Sequence, residues 1–251
     1  MLKHFLRSLF KFLIKLPGLS SVFRFLGTKN MIPNFVWLRL PIDGTFPLYF
    51  PTHSKRERMA LYFGTADDPI ERAMFWRGWE CFGLGPFVFY ELAKDSKIML
   101  DIGANTGVYT LLALTASMTS KVWTFEPIKR VFDILGKNVA LNDPTGRCRT
   151  FQMGVSDSDG SAEIYVSGAA VPGNSTIMSR SWVGGETVAV TIPIRSIDSI
   201  VNELRPDPIT VDLVKIDVEL AEQKVLQGMS NTIRSHRPII YLEISPESDF
   251  E

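Results

Sequence analysis

Short apolar runs recur through the second half of the chain, separated by turn residues and by stretches with helical spacing. Runs that do not alternate with polar residues are typical of strands buried on both faces of a parallel sheet. The pattern predicts strands at 97–101, 121–125, 148–153, 211–217 and 238–242, and helices at 108–118, 128–141 and from about 222 to 228. Strand, helix and strand in succession form a right-handed βαβ unit, so the predicted fold class is doubly wound α/β.

Weaker patterns surround this core. Residues 36–40 and 45–50 flank an Asp43-Gly44 turn signal and are predicted to pair as a hairpin. Asp67-Asp68-Pro69 is typical of a helix start. Alternating stretches at 162–166 and 187–192 predict two further strands around a loop rich in glycine and serine.

The amino-terminal residues 2–16 form an amphipathic pattern that Pro17-Gly18 ends. At about 100° per residue, basic side chains share one arc, and an apolar arc opposes them. The basic arc contains Lys3, Arg7, Lys11 and Lys15 with His4 and Ser8, and the apolar arc contains Leu2, Phe5, Leu6, Leu9, Phe12, Leu13 and Leu16. Two interpretations stay open: attachment to an anionic membrane surface, or a helix packed on the domain.

Composition narrows the function classes. Apolar residues make up 45% of the 251 residues and charged residues 22%, as in folded proteins, and 27 basic residues balance 27 acidic ones, so no basic excess indicates a nucleic-acid partner. The balance is uneven, because residues 1–40 carry seven basic and no acidic side chains. The three histidines are scattered, and neither they nor the two distant cysteines, Cys81 and Cys148, have metal-ligand spacing. The cysteine pattern favours a reducing cytoplasmic setting.

The loop after the first core strand, Asp101 to Gly107, indicates the cofactor. It lacks the GxGxxG spacing of dinucleotide sites, and the Asp101 carboxylate would repel a pyrophosphate. A cationic ligand such as S-adenosylmethionine would be attracted instead. Glu126, 25 residues after Asp101 at the end of the next strand, is placed to accept hydrogen bonds from a ribose diol.

Four segments carry a family resemblance: DIGANTG, FEP, VKIDVELAEQKVLQG and PIIYLEI, in that order. The chain resembles the FkbM-type S-adenosylmethionine-dependent methyltransferase family over about residues 80–245. The resemblance implies a class I, Rossmann-like fold and methyl transfer to oxygen, commonly a hydroxyl of a sugar, a glycan or a related natural product. By motif it implies cofactor contacts at Asp101, Gly103, Ala104, Asn105, Gly107, Glu126, Asn142 and, on the adenine side, Asp157.

Two departures from the family pattern stand out. Leu220 follows Glu219 where the family has glycine, and because leucine does not readily take positive φ, the turn is expected to differ or activity to be reduced. The chain ends at Glu251, so the sheet is expected to lack the usual carboxyl-terminal strand pair. The predicted organisation is a basic amphipathic segment at 1–27, an extension or lid at 28–95 and the methyltransferase core at 96–251.

The acids after the fourth strand are the predicted catalytic groups. Asp217 is expected to act as the base or to orient the acceptor hydroxyl, with Glu219 as a second contact. The acceptor is expected to be a small molecule or glycan. Alternatives are a divalent ion held by Asp217 and Glu243, a catalytically impaired binding or scaffold protein at a membrane surface, and a nicotinamide-dependent dehydrogenase, which the loop disfavours.

Overall fold

The computed structural model describes most of the chain and divides it into two compact units, residues 1–86 and 87–251. The described residues are 9–10, 12–14, 16, 18–29, 31, 42–52, 55–64, 69–167, 187–204 and 210–244. The strands are β1 (Gly44–Pro51), β2 (Arg56–Phe63), β3 (Ile98–Ile102), β4 (Lys121–Phe125), β5 (Cys148–Phe151), β6 (Gly154–Val155), β7 (Gly160–Ser167), β8 (Thr187–Arg195), β9 (Leu213–Ile216) and β10 (Ile239–Leu242). The helices are α1 (Leu19–Thr28), α2 (Pro69–Arg77), α3 (Gly85–Lys94), α4 (Val108–Ala116), α5 (Lys129–Asn142), α6 (Ile197–Glu203), α7 (Glu222–Gln227) and α8 (Ser230–His236), with a 3₁₀ turn at Gly78–Phe82.

Five parallel strands form the central sheet of the second unit, in the order β10-β9-β3-β4-β5. The chain moves outward from β3 through β4 to β5 and then returns to β9 on the other side of β3. This order is that of the doubly wound nucleotide-binding folds, so the predicted fold class is confirmed. Ligands of such sheets bind beyond the carboxyl ends of the strands, where the order reverses.

Burial explains why the core strands lack alternation. All four residues of β9 are buried, as are four of the five in β3 and in β4. Side chains on both faces are covered, as in parallel sheets with helices on each side. Leu100, Ile102, Phe125, Val214 and Ile216 lie in one core cluster, which fixes the register of the strands whose ends carry the site.

A smaller sheet has the order β6-β8-β7 and corrects one predicted strand. The stretch 148–153 was expected to be a single strand, but β5 ends at Phe151 and Gly154 starts β6, which pairs with β8. A Cβ on Gly154 would lie 2.9 Å from Ile192 Cδ1, so glycine allows β6 to approach β8 this closely. The two alternating stretches do form strands, and β7 and β8 pair antiparallel.

The first unit contains an antiparallel hairpin, β1 with β2. The strand predicted at 45–50 is confirmed, but it pairs with Arg56–Phe63, and the predicted partner at 36–40 lies outside the described residues. The rings of Phe46 and Phe63 contact Phe75 of α2 edge-on, at 4.9 and 6.2 Å between centroids. This aromatic cluster forms the core of the unit.

Only part of the predicted amino-terminal helix is described. Leu9, Phe10, Phe12 and Leu13 are helical, and Ile14 N–H donates to the Phe10 carbonyl at 3.0 Å. Residues 1–8 lie outside the described part. Among the described residues, no helix has both the length and the apolar character to cross a membrane.

Candidate active site

The ends of β3, β4 and β9 meet in a network of backbone hydrogen bonds. Gly103 and Ala104 N–H both donate to the Phe125 carbonyl, at 3.1 and 3.0 Å. Asp217 N–H donates to the Ile102 carbonyl at 3.0 Å. The cofactor loop is therefore held between the segment that carries Glu126 and the segment that carries Asp217.

Left-handed backbone shapes this loop. Gly103, Asn105 and Gly107 have φ values of 75°, 52° and 94°. A Cβ on Gly107 would lie 2.7 Å from Leu135 Cδ1 of α5, so a side chain at the start of α4 would have to displace this methyl group. Asn105 is among the residue types that tolerate the left-handed region best, which fits its position between the two glycines.

Asn138 supports the loop from α5. Its side chain is buried, and Nδ2 donates to the Thr106 carbonyl at 2.7 Å. Asn142, the residue that the resemblance implied, lies one turn later and donates to the Asn138 carbonyl at 2.7 Å. The structure thus connects Asn142 to the loop through Asn138, and a cofactor contact by Asn142 itself stays a prediction.

Glu126 lies directly against the loop, as the spacing predicted. Its carboxylate oxygens accept the N–H groups of Asn105, at 3.0 Å, and Ile128, at 2.9 Å. Burial raises the pKa of this carboxyl to about 7, although both hydrogen bonds favour the charged form. A carboxylate positioned in this way has remaining lone pairs for the two hydroxyls of a ribose.

Asp101 and Lys215 occupy facing positions of β3 and β9. Asp101 Oδ2 accepts the Thr110 hydroxyl at 2.5 Å, whereas Oδ1 is buried without a hydrogen-bond partner and lies 3.8 Å from Lys215 Nζ. Burial raises the pKa of Asp101, and the charge of Lys215 opposes that rise. An acceptor oxygen buried without a donor matches the cationic ligand expected at this loop.

Lys215 also binds the acid predicted to be catalytic. Its Nζ lies 2.8 Å from Asp217 Oδ2 and 3.4 Å from the Gly103 carbonyl, and it sits 4.9 Å from the centre of the Tyr109 ring. Burial acts to lower its pKa, but the charges of Asp217 and Asp101 prevail and raise it. The lysine therefore stays protonated and ties the cofactor loop to Asp217.

Three carboxyl groups near Lys215 interact electrostatically with one another: Asp217, Glu219 and Glu243. Burial, followed by repulsion from Asp217 and Glu243, raises the pKa of Glu219 to about 7. The charge of Asp217 is the main cause that raises the pKa of Glu243. In the described part of the chain, no group of three or more His, Cys, Asp or Glu side chains is arranged to hold a metal ion.

The turn after β9 contains Leu220, and the expected effect of this leucine on the turn and on activity stays a prediction. Glu219 and Leu220 both have positive φ, 53° and 75°, so leucine adopts the left-handed conformation that glycine would take more readily. The buried Glu222 carboxylate holds the turn, because Oε1 accepts the N–H groups of Val218, at 3.4 Å, and Leu220, at 3.2 Å. The backbone therefore keeps Glu219 at the end of β9 despite the leucine.

Asp157 follows β6 in the smaller sheet. Its side chain is exposed, and Oδ1 accepts the hydroxyls of Ser156, at 3.0 Å, and Ser158, at 3.3 Å. Gly228 brings this segment close to α7, since a Cβ there would lie 1.9 Å from the Ser156 carbonyl oxygen. The adenine-side role of Asp157 stays a prediction.

Aromatic rings lie beside Lys215. Tyr109 contacts Phe89 at 5.0 Å and Tyr241 at 5.8 Å between ring centroids. Burial and a hydrogen bond with the Tyr241 hydroxyl raise the pKa of Tyr109. These rings add an apolar wall to a site that is otherwise polar.

Sequence reasoning missed four of these residues as functional: Lys215, Thr110, Asn138 and Tyr109. A lysine inside an otherwise apolar strand was a usable signal for Lys215, because a buried ammonium needs acidic partners. No comparable signal marks Thr110 or Asn138. Their roles follow from which face of α4 and of α5 packs on the loop.

A family comparison agrees with this geometry. The family described as Methyltransferase FkbM domain matches residues 101–251, more than half of the chain. The chain belongs to the FkbM methyltransferase family. The match begins at Asp101 and contains every predicted cofactor-binding and catalytic residue.

Curated relatives in this family are distant. Methyltransferase sdnD of Sordaria araneosa is 29% identical over 166 residues, covering 56% of this chain and 64% of the relative. Hexuronic acid methyltransferase AglP of Haloferax volcanii is 30% identical over 146 residues, covering 58% and 55%. 2-O-methyltransferase NoeI of Sinorhizobium fredii is 25% identical over 172 residues, covering 64% and 68%. The chain spans less than two thirds of the length of sdnD and of AglP.

S-adenosylmethionine is the cofactor of the FkbM family, and the residues present fit it. The unsatisfied Asp101 oxygen suits the positive charge of the methionine part. Glu126 suits the ribose diol. Gly103 and Gly107 keep the loop free of Cβ atoms where the backbone must approach a ligand.

Proposed function

We propose that the protein is an S-adenosylmethionine-dependent O-methyltransferase that acts on a hydroxyl of a sugar, a glycan or a related natural product. The observation that carries this proposal is that Lys215 contacts both the cofactor loop and Asp217 after β9. Its Nζ lies 2.8 Å from Asp217 and 3.4 Å from the Gly103 carbonyl, so Asp217 lies directly beside the cofactor loop.

We assign to Glu219 the removal of the proton from the acceptor hydroxyl. When bound, S-adenosylmethionine supplies a methyl group on a sulfonium for in-line transfer, so the chain has to align the acceptor and receive its proton. A carboxyl with a pKa of about 7 is partly ionised at neutral pH and is a stronger base than an ordinary glutamate. Asp217, held by Lys215, orients the hydroxyl by accepting its hydrogen bond.

The acceptor class follows from the surroundings of these acids. Carboxylates accept hydrogen bonds from several hydroxyls at once, and the rings of Tyr109 and Tyr241 offer an apolar wall. A compound with several hydroxyls and an apolar ring face matches both features. The names of two relatives, a hexuronic acid methyltransferase and a 2-O-methyltransferase, agree with this class.

A non-catalytic binding protein is the second candidate. Its support is the strained turn, in which Glu219 and Leu220 both take positive φ. The Glu222 carboxylate accepts the N–H groups of Val218 and Leu220, an arrangement that favours a turn kept in working geometry. We therefore rank catalysis above binding alone. The cytoplasmic setting stays a prediction.

Two measurements on the purified chain separate these functions. Titration calorimetry with S-adenosylmethionine tests binding, and transfer of a labelled methyl group to fractionated glycans, lipids and small molecules tests catalysis. We expect Glu219→Gln to retain cofactor binding and to lose about 10²- to 10⁴-fold in turnover. Asp101→Ala is expected to abolish binding. Binding without transfer to any fraction would favour the second candidate, and no binding would contradict both.

A further inference from the structure

We infer that the amino-terminal part of the first unit binds the surface of an anionic lipid bilayer without crossing it. The residues concerned are large apolar side chains exposed to solvent, here called the N-terminal apolar surface: Leu9, Phe12, Val22, Phe25 and Met31. Phe12 is 62% exposed, Val22 52% and Met31 66%. Leu9 with Phe12, and Val22 with Phe25, are three residues apart on a helix and so adjacent on its surface, and contiguous exposed apolar side chains mark an interaction site.

The packing of this amino-terminal segment on the rest of the first unit leaves the N-terminal apolar surface uncovered. Phe10 and Ile14 are buried, and the Phe10 ring stacks on Trp76 at 5.9 Å and meets Phe23 edge-on at 5.4 Å. Neither Phe10 nor Ile14 belongs to the apolar arc of the amphipathic pattern. Leu9 and Phe12 do belong to it, and both stay exposed. Packing on the unit therefore buries Phe10 and Ile14, leaves Leu13 and Leu16 of the apolar arc half-buried, and leaves Leu9 and Phe12 of that arc exposed.

The two helical segments contact each other through aromatic side chains, since the Phe10 ring meets Phe23 of α1 edge-on. Val22 and Phe25 flank Phe23 in α1, as Leu9 and Phe12 flank Phe10. Lys29 Nζ stands 6.0 Å from the centre of the Phe25 ring, so a cation lies next to the apolar side chains. Such a mixture of aromatic, aliphatic and basic groups suits the boundary between lipid headgroups and acyl chains.

The distribution of charge along the chain indicates what binds the N-terminal apolar surface. Residues 1–40 carry seven basic and no acidic side chains, and the remaining 211 residues therefore hold 20 basic against 27 acidic ones. Each basic side chain near an anionic bilayer strengthens binding about fivefold, and the negative remainder is repelled from the same surface. A second copy meeting this surface face to face would bring two strongly basic segments together, which repulsion opposes. An anionic bilayer satisfies both the apolar and the charged features.

Vesicle sedimentation of the full chain tests the inference. We expect binding to phosphatidylcholine vesicles that contain phosphatidylserine, weak binding to pure phosphatidylcholine, and weakening by salt. The double variant Phe12→Ser, Val22→Ser should reduce the partition coefficient at least about tenfold. Leu84→Ser, which removes a side chain 78% exposed elsewhere in the first unit, is the matched control and should bind as the parent does.

Three outcomes would overturn the inference. One is equal sedimentation with charged and uncharged vesicles, and another is unchanged binding by the double variant. The third is a dimer, seen by sedimentation velocity without lipid, that the double variant dissociates while neither protein binds vesicles. In that case a second copy, and not a bilayer, covers the surface. None of these readouts depends on methyl transfer, so they are independent of the proposed function.

Discussion

Gly103 in the cofactor loop and Asp217 after β9 are in such close contact that a Cβ on the glycine would lie 1.8 Å from the Asp217 carbonyl oxygen. The glycine also has φ of 75°. This contact fixes the distance between the predicted cofactor loop and the acid proposed to orient the acceptor. Any side chain at position 103 has to separate the two or distort both.

Gly103→Ala is therefore expected to lower the free energy of unfolding by at least about 2 kcal/mol, because it combines a backbone clash with an unfavourable φ. Urea denaturation followed by circular dichroism measures the loss, and calorimetry should detect no cofactor binding. Gly136→Ala in α5 is the control: a Cβ there meets no atom within 4 Å, and alanine should stabilise the helix. Equal stability of the two variants would contradict the contact.

Cofactor affinity is expected to depend on the ionisation of Glu126. Burial raises the pKa of this carboxyl to about 7, and donors from a ribose favour its charged form. Affinity should therefore fall as the pH falls through 7, by about tenfold between pH 8 and pH 6. Calorimetry across this range measures it. Glu126→Gln should bind more weakly throughout and lose this tenfold change; a variant that keeps the full change would assign it to another group.

Leu220 allows the backbone of the turn to be tested directly. At a position with φ of 75°, alanine keeps the steric penalty of a Cβ and glycine does not. Leu220→Gly should therefore be about 1 kcal/mol more stable than Leu220→Ala, the reverse of the usual order. Urea denaturation of both variants gives the difference. If the alanine variant is the more stable, position 220 does not take the left-handed conformation in solution.

Sequence reasoning succeeded where a pattern of residues has a single physical explanation. Continuous apolar runs predicted the core strands, and Asp101 with Glu126 indicated S-adenosylmethionine as the cofactor, while the contacts of these two acids with it stay predictions. It failed where packing decides. Gly154 allows β6 to approach β8, so a strand expected to continue past Phe151 changes sheets. Leu220 adopts a conformation that its own preference opposes, because Glu222 binds the surrounding N–H groups.

Lys215 provides the last test, because it neutralises the buried Asp101 and the half-buried Asp217. Its Nζ lies 2.8 Å from Asp217 and 3.8 Å from Asp101, and its side chain is almost fully buried. Lys215→Met leaves both carboxylates without their cation, and at neutral pH it should lower the free energy of unfolding by about 3–5 kcal/mol.

The loss should depend on pH in a defined direction. Without the lysine, the pKa of the buried Asp101 rises further above that of the unfolded chain, so the folded state binds protons more readily and the deficit shrinks as the pH falls from 8 to 5. Urea denaturation at several pH values measures this trend. Lys121→Met, at an exposed position of β4, is the matched control and should change stability little at any pH. A deficit for Lys215→Met that stayed constant with pH would indicate lost packing, because only unpaired carboxylates are relieved by protonation.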